Sequence, residues 1–222
     1  MILYKNYSEL PIVAFEKLSA ITADDYADES DRNIDIMAVM TGKTAEDLLK
    51  LSIVEFRTLA DKLTWLYDKV EPSKPKKAYR IGGRTCVVEA RPDKVSWAQY
   101  IDFKNYMNDP EAHITELASL FMIPKGCSFN EGYDLAQFHE EVRNELPITD
   151  ALGLLAFFFA KLQRSKLDTL FYSLAMMKMA KPSKEMEEHI EAMRREIRSC
   201  ASSASNSLRR MSLRPPLLPK MS

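Results

Sequence analysis

Residues 36–70, IMAVMTGKTAEDLLKLSIVEFRTLADKLTWLYDKV, decide the fold class. A short apolar helix ends at Thr41-Gly42, and two capped helix starts follow in close succession. Thr44 with Asp47 is an acidic variant of the capping box. Ser52 with Glu55 is the standard form, in which the Ser oxygen takes the N3 amide and the Glu reaches back to the N-cap amide. From Phe56 the apolar positions Leu59, Leu63, Leu66 and Val70 recur at three- and four-residue steps, which predicts one long amphipathic helix with these residues on one face. That face must find another surface. Everything in the stretch serves packing and nothing in it serves chemistry, so it reads as a docking module, with Phe56, Leu59, Leu63 and Leu66 as its partner-binding residues.

Toward the N-terminus, Ser8 is placed to cap a helix with Pro11 in its first turn and Ile12, Phe15 and Leu18 as its stripe. Asp24, Asp25, Asp28, Glu29 and Asp31 disfavour burial and set negative charge ahead of a helix starting near Arg32. A calcium loop counted from Asp24 would need Gly at its sixth position and Glu at its twelfth. Glu29 and Asp35 stand there instead.

Toward the C-terminus, Glu71-Pro72-Ser73-Lys74-Pro75-Lys76-Lys77 reads as a solvated linker between a helical module, 1–70, and a second unit, 78–180. Ala78 to Ile81 and Arg84 to Ala90 flank Gly82-Gly83, which predicts a hairpin at about 78–90 and no other β structure. Ser96 with Gln99 caps a helix from Trp97 to about Met107, and Asp109-Pro110 caps another through Ala118 and Phe121. Asp134 caps a third to about Glu145, and after Pro147, Thr149 caps a helix from Asp150 to about Ala180 whose first turns are apolar all round. Pro182 sets off a charged helix within 181–200. Residues 201–222 hold Arg209, Arg210, Arg214 and Lys220 with no acid, which predicts a flexible basic tail and a second candidate binding element. The expected fold is mainly α, a multi-helix bundle with one β-hairpin and that tail.

Lys plus Arg is 31 and Asp plus Glu is 32, a net charge of -1, so there is no global bias toward nucleic acid or an anionic membrane. Cys86, Cys127 and Cys200 are scattered and odd in number, against both a disulfide framework and a cysteine zinc site. Ala151 to Ala160, the longest apolar run, falls well short of the roughly 20 residues of a membrane span, and the N-terminus lacks an apolar signal core. A soluble protein made in a reducing cytosol, with no membrane partner and no specific nucleic acid, is expected.

Chemical motifs fail on spacing. Gly42-Lys43-Thr44 ends like a phosphate loop, but the earlier Gly would fall at Met37, inside a helix with no strand before it. Gly82-Gly83 lacks the third Gly of a dinucleotide fingerprint. His139-Glu140-Glu141 is not a zinc-protease motif, because Arg143 stands where the second His belongs. Cys127 and His139 are not paired by any feature of the sequence, and Glu140, Glu141 and Glu145 read as a wet helix face. No catalytic, metal or cofactor residue is expected, and the chain is expected not to be an enzyme.

Thr41-Gly42-Lys43-Thr44-Ala45-Glu46-Asp47-Leu48, continuing to Phe56 and Leu59, resembles the helical tail assembly chaperones of tailed bacteriophages, in which a TGxTxEDLxxL step leads into a long helix. The similarity covers roughly residues 9 to 70. Gln99-Tyr100-Ile101-Asp102-Phe103, Ile123-Pro124-Lys125-Gly126 and Glu131-Gly132-Tyr133-Asp134 are similar to segments of structural-cluster proteins from phages of gut Bacteroidetes, the crAss-like group, over about residues 78 to 160. The resemblance implies a late morphogenesis protein that binds a tape-measure-like, tail or neck protein in the host cytoplasm, with self-association as one way of covering its apolar stripe. A structural component of the virion (tail, neck or cargo protein) is the alternative.

Overall fold

Side-chain caps start most of the helices where the local sequence puts them. The computed structural model describes residues 3–21, 26, 28–89 and 94–161. Its helices are α1 (Ile12–Ala20), α2 (Glu29–Thr41), α3 (Ala45–Leu49), α4 (Ile53–Asp61), α5 (Trp97–Tyr106), α6 (Ile114–Leu120) and α7 (Leu135–Glu145). A further helix, α8, begins at 148 and is described to 161. Asp28, Thr44 and Asp134 each accept a backbone amide at their helix starts, and Ser52–Glu55 and Ser96–Gln99 form complete capping boxes. The chain is mainly α with a small antiparallel sheet, as the capping pattern predicts. The continuation of α8 toward 180, the charged helix, and the tail with Arg209, Arg210 and Arg214 lie outside the described residues, as do Asp24 and Asp25.

Three expected caps are replaced. Asp109 accepts the Ala112 amide in a turn, and α6 starts only at Ile114, after His113 and without a side-chain cap. Ser8 turns to the Asn6 side chain, and α1 starts after Pro11 without a side-chain cap. Thr149 is buried inside α8, whose first turn is closed by the Ala151 amide donating to the Pro147 carbonyl at 3.0 Å. For Ser8 and Thr149 the physical reason is a long-range bridge between Pro11 and Pro147. Ile12 donates to the Leu146 carbonyl (3.1 Å) and Ile148 to that of Leu10 (2.8 Å), so each proline-led start is held by the other segment.

The sheet order is β1-β2-β3: β1 (Ala78–Ile81) and β2 (Arg84–Val88) form the expected hairpin, with Tyr79 opposite Cys86 and Ile81 opposite Arg84. Gly82 (φ 55°) and Gly83 (φ 71°) both take the left-handed conformation that a tight two-residue hairpin turn demands. The third strand, β3 (Met122–Pro124), was not expected. It pairs antiparallel with β2, placing Pro124 opposite Cys86 and Met122 opposite Val88. Three residues directly after α6 carry no readable period, and Pro124 sits on an edge strand, where its missing amide costs no ladder bond.

One buried cluster joins residues from both ends of the chain, among them Leu10, Phe15, Met40, Val70, Phe138 and Leu154. The Phe121 and Phe158 rings stack within it at 3.9 Å between centroids. Segment 71–77 has no regular structure, as its prolines dictate, but it is tied to α8. Ser73 donates its amide to the Thr149 carbonyl (2.9 Å) and its hydroxyl to Asp150, and Lys76 Nζ donates to Asp150 Oδ2 (2.7 Å). The hydrogen bond to Asp150 raises the Lys76 pKa above its ordinary value.

Gly153 is where α8 meets this segment, since a Cβ there would come within 2.1 Å of the Ser73 carbonyl oxygen. The neighbour is backbone and cannot swing aside. Gly153→Ala should therefore destabilise the protein by about 1–3 kcal/mol. Thermal unfolding should show this as roughly 2–4 °C of lowered midpoint per kcal/mol; an unchanged midpoint would mean the segment is free to move off α8.

Candidate docking surface

The segment from Thr41 to Asp61 makes two sharp changes of direction, each set by a local hydrogen bond. Gly42, left-handed at φ 67°, ends α2 and donates its amide to the Ala38 carbonyl, so the GKT triplet is a helix stop followed by a helix cap. Thr44 then starts α3, and Leu48 from it is buried against the core. The Ser52–Glu55 box starts α4 after a break of only three residues, and the side chains on either side of the break are left in water. Leu49 is 68% exposed, and Ile53 and Val54 are each 74% exposed.

None of the nine residues of α4 is fully buried. Phe56 and Leu59 are half-buried and lean on the core, while Ile53 and Val54 occupy its first turn and stay exposed, Ile53 at the edge of the groove. Between α2, α3 and α4 lies a groove of about 320 Å³, lined on its apolar side by Ile34, Leu48, Leu49, Leu51, Ile53 and Phe56. Covering an aliphatic side chain is worth about 1.5–3 kcal/mol. An apolar cluster of this kind beside a groove is the sort of surface that marks an interaction site.

The expected stripe divides at the end of α4. The predicted helix to Val70 is not formed: α4 ends at Asp61 and a 3-10 turn, Thr64–Tyr67, follows. The Thr64 hydroxyl donates to the Asp61 carbonyl, a local partner that helps end the helix. In the 3-10 turn a step of three residues returns to the same face, so Leu63 and Leu66 both point inward, at 1% and 3% exposure. The buried Tyr7 hydroxyl donates to the Leu66 carbonyl at 2.9 Å, and its ring meets Trp65 edge-on at 4.7 Å. Leu63 and Leu66 are thus core, Phe56 lines the groove, and Leu59 packs against the core from the inner side of α4. Sequence periodicity missed Leu49, Ile53 and Val54, because apolar residues outside a stripe carry no period of their own. Their signal was position: Ile53 directly follows the Ser52 cap, one turn before Phe56, and Val54 lies off the Phe56–Leu59 face.

The residues weighed for chemistry hold the fold together. Glu141 pairs with Arg84, Gln137 Nε2 donates to Glu141 Oε1 (2.9 Å), and the Gly82 amide donates to Glu145 Oε2 (3.0 Å), which ties α7 to the hairpin. Arg143 donates through Nε to Glu16 on α1 at 2.7 Å. Cys127 is hydrogen-bonded to the Gly132 carbonyl at 3.5 Å. His139 is half-buried, and its burial lowers its pKa, against a smaller opposing pull from Glu116. Among the described residues no group of His, Cys, Asp and Glu could hold a metal ion, and no helix is long and apolar enough to cross a membrane. No family model, curated protein or solved structure matches the chain.

Truncation should separate the two halves of the stripe. Leu63→Ala should cost about 2–5 kcal/mol in chemical denaturation, and Ile53→Asp within about 0.5 kcal/mol. Equal costs would place Ile53 in the core. His139 adds a pH test. Its folded pKa lies below the unfolded 6.5, so its contribution is intact above that value and is lost as pH falls through and below it. The unfolding free energy should fall between about pH 8 and pH 5, and fall less in His139→Gln.

Proposed function

We propose that this protein is a non-enzymatic phage morphogenesis protein, chaperone-like, that binds a late structural partner during tail assembly in the host cytoplasm. The exposed Leu49–Ile53–Val54 cluster beside the α2–α3–α4 groove carries the reading. The cluster falls within the TGKTAEDL-to-Phe56 segment that resembles tail assembly chaperones. Capped helices that keep large aliphatic side chains in water offer a preformed apolar seat without any group poised for bond making. The occupant that fits is an amphipathic helix laying aliphatic side chains into the groove, as a tape-measure-like protein would supply.

Co-expression with the late structural proteins of the same phage tests this. Ile53→Asp with Val54→Asp should abolish co-purification of the partner while far-UV circular dichroism stays unchanged, and Arg80→Ala, on the distant hairpin, should leave the complex intact. Retention of the partner by the double variant would overturn the assignment of this surface. Mass spectrometry of purified virions separates the alternative: high copy number in particles favours a structural component of the tail or neck, and absence despite late expression favours a chaperone.

A further inference from the structure

The sheet ends on β1, and that edge is open. Ile81 and Arg84 flank the two-residue Gly82-Gly83 turn and therefore form a hydrogen-bonded pair. Alternation in an antiparallel ladder makes Tyr79 and Cys86 the next such pair, and the Val88 amide keeps the phase by donating to the Lys77 carbonyl at 3.0 Å. Lys77, Tyr79 and Ile81 thus direct their main-chain groups at β2, while Ala78 and Arg80, between them, turn theirs outward. On β2 the corresponding groups are used: the Thr85 carbonyl accepts the Lys125 amide at 2.8 Å, and Val87 pairs with Ile123. Beyond β1 there is no further strand among the described residues, and none of them hydrogen-bonds the outward amides and carbonyls of Ala78 and Arg80. Both residues are exposed. An edge of this kind is a template for an added strand.

Charge selects what can be added. Lys74, Lys77 and Arg80 are exposed and make no ion pair among the described residues. The neighbouring acids are engaged or set back: Asp150 holds Lys76, Glu141 holds Arg84, Glu145 accepts the Gly82 amide, and Pro72 and Pro75 separate Glu71 from β1. A second copy's β1 would set Lys77 and Arg80 against the same cations, and like charges across a strand pair repel. An acidic strand meets the opposite sign.

Register refines the occupant. With Tyr79 and Ile81 buried, Ala78 and Arg80 share the outer face of the sheet, Ala78 in a row with Val87 and Ile123, Arg80 in a row with Thr85. An antiparallel strand laid on this edge passes Arg80, Tyr79, Ala78 and Lys77 in that order. The complementary pattern is an acid, any residue, an aliphatic residue beside the Ala78–Val87 row, and a second acid.

We propose that β1 accepts an extended acidic segment of a partner protein as an added antiparallel strand. Main-chain bonds to Ala78 and Arg80 hold it, and carboxylates facing Arg80 and Lys77 choose it. This goes beyond the groove reading and uses a different surface, so its failure leaves that reading standing.

The probe is the acetylated, amidated hexapeptide Thr-Glu-Thr-Val-Glu-Thr, labelled for fluorescence anisotropy and titrated with the full chain. It should bind saturably and more weakly as salt rises, and the same peptide with Lys for both Glu should not bind. Arg80→Glu should weaken binding roughly tenfold with unchanged far-UV circular dichroism, and Ile53→Asp, in the groove, should bind as the native chain does. Methylating the peptide nitrogen of Val, which faces β1 in this register, should abolish binding; methylating that of the preceding Thr, which points away, should be tolerated. No binding of the hexapeptide, no effect of Arg80→Glu, or equal loss from the two methylated peptides would overturn the proposal. Oligodeoxythymidylate binding where the peptide does not would also overturn it, marking these cations as a phosphate contact.

Discussion

Two main-chain hydrogen bonds between Leu10–Ile12 and Leu146–Ile148 close the molecule, and much of the remaining architecture is arranged around that closure. All four of the residues Leu10, Ile12, Leu146 and Ile148 are at 0% exposure. In a site without water, a backbone amide left unpaired costs about 1–3 kcal/mol, so the two segments are held to each other by what separation would expose. Because both helix starts are led by proline, neither has an amide to lose at that position, and α1 and α8 both start from this antiparallel bridge. Helix α7 then lies against α1, fixed by Arg143 to Glu16, and carries the hairpin on its far side through Glu141 and Glu145.

Asp150 continues this arrangement one turn into α8. Its side chain is almost wholly buried and is met by Ser73 and Lys76, so a stretch whose lysines and prolines look like a free linker is held against the second half of the chain. Composition alone could not reveal this. A lysine is solvated in almost any context, and only the position of a buried carboxylate from a distant segment decides whether it is also tethered.

That contrast describes how much was legible. Most features determined within three or four residues are legible: the Ser52–Glu55 and Ser96–Gln99 boxes, the Thr44 and Asp134 caps, the Gly42 stop and the Gly82-Gly83 turn all depend on neighbours in sequence, although Asp109-Pro110 makes a turn and not the start of α6. Features determined at long range are not. Ser8 and Thr149 have the right chemistry for caps, but the Pro11–Pro147 bridge sets the helix starts elsewhere, and Met122–Pro124 becomes a strand only because β2 offers it an edge. Leu63 and Leu66 were placed on the correct side of the chain and in the wrong helix, since the change from α to 3-10 geometry keeps three-residue neighbours together. Of the four stripe residues, Phe56 lines the groove and Leu59 is half-buried, while Leu63 and Leu66 are core, because an aliphatic side chain left in water cannot be told from a core residue by its type.

Helix α4 combines a strong start with a weak hold. Its first turn is closed reciprocally by Ser52 and Glu55, yet it contributes no fully buried residue, and Phe56 and Leu59 are its main ties to the interior. Segments with few buried apolar contacts open at free energies well below that of global unfolding. The amides of α4 therefore exchange with solvent through a local excursion, in which the helix lifts and refolds while the Pro11–Pro147 closure stays shut. Any molecule that covers Ile53 and Val54 must suppress that excursion, so occupancy of the groove is written into the protection of backbone protons a full turn away from the contact itself.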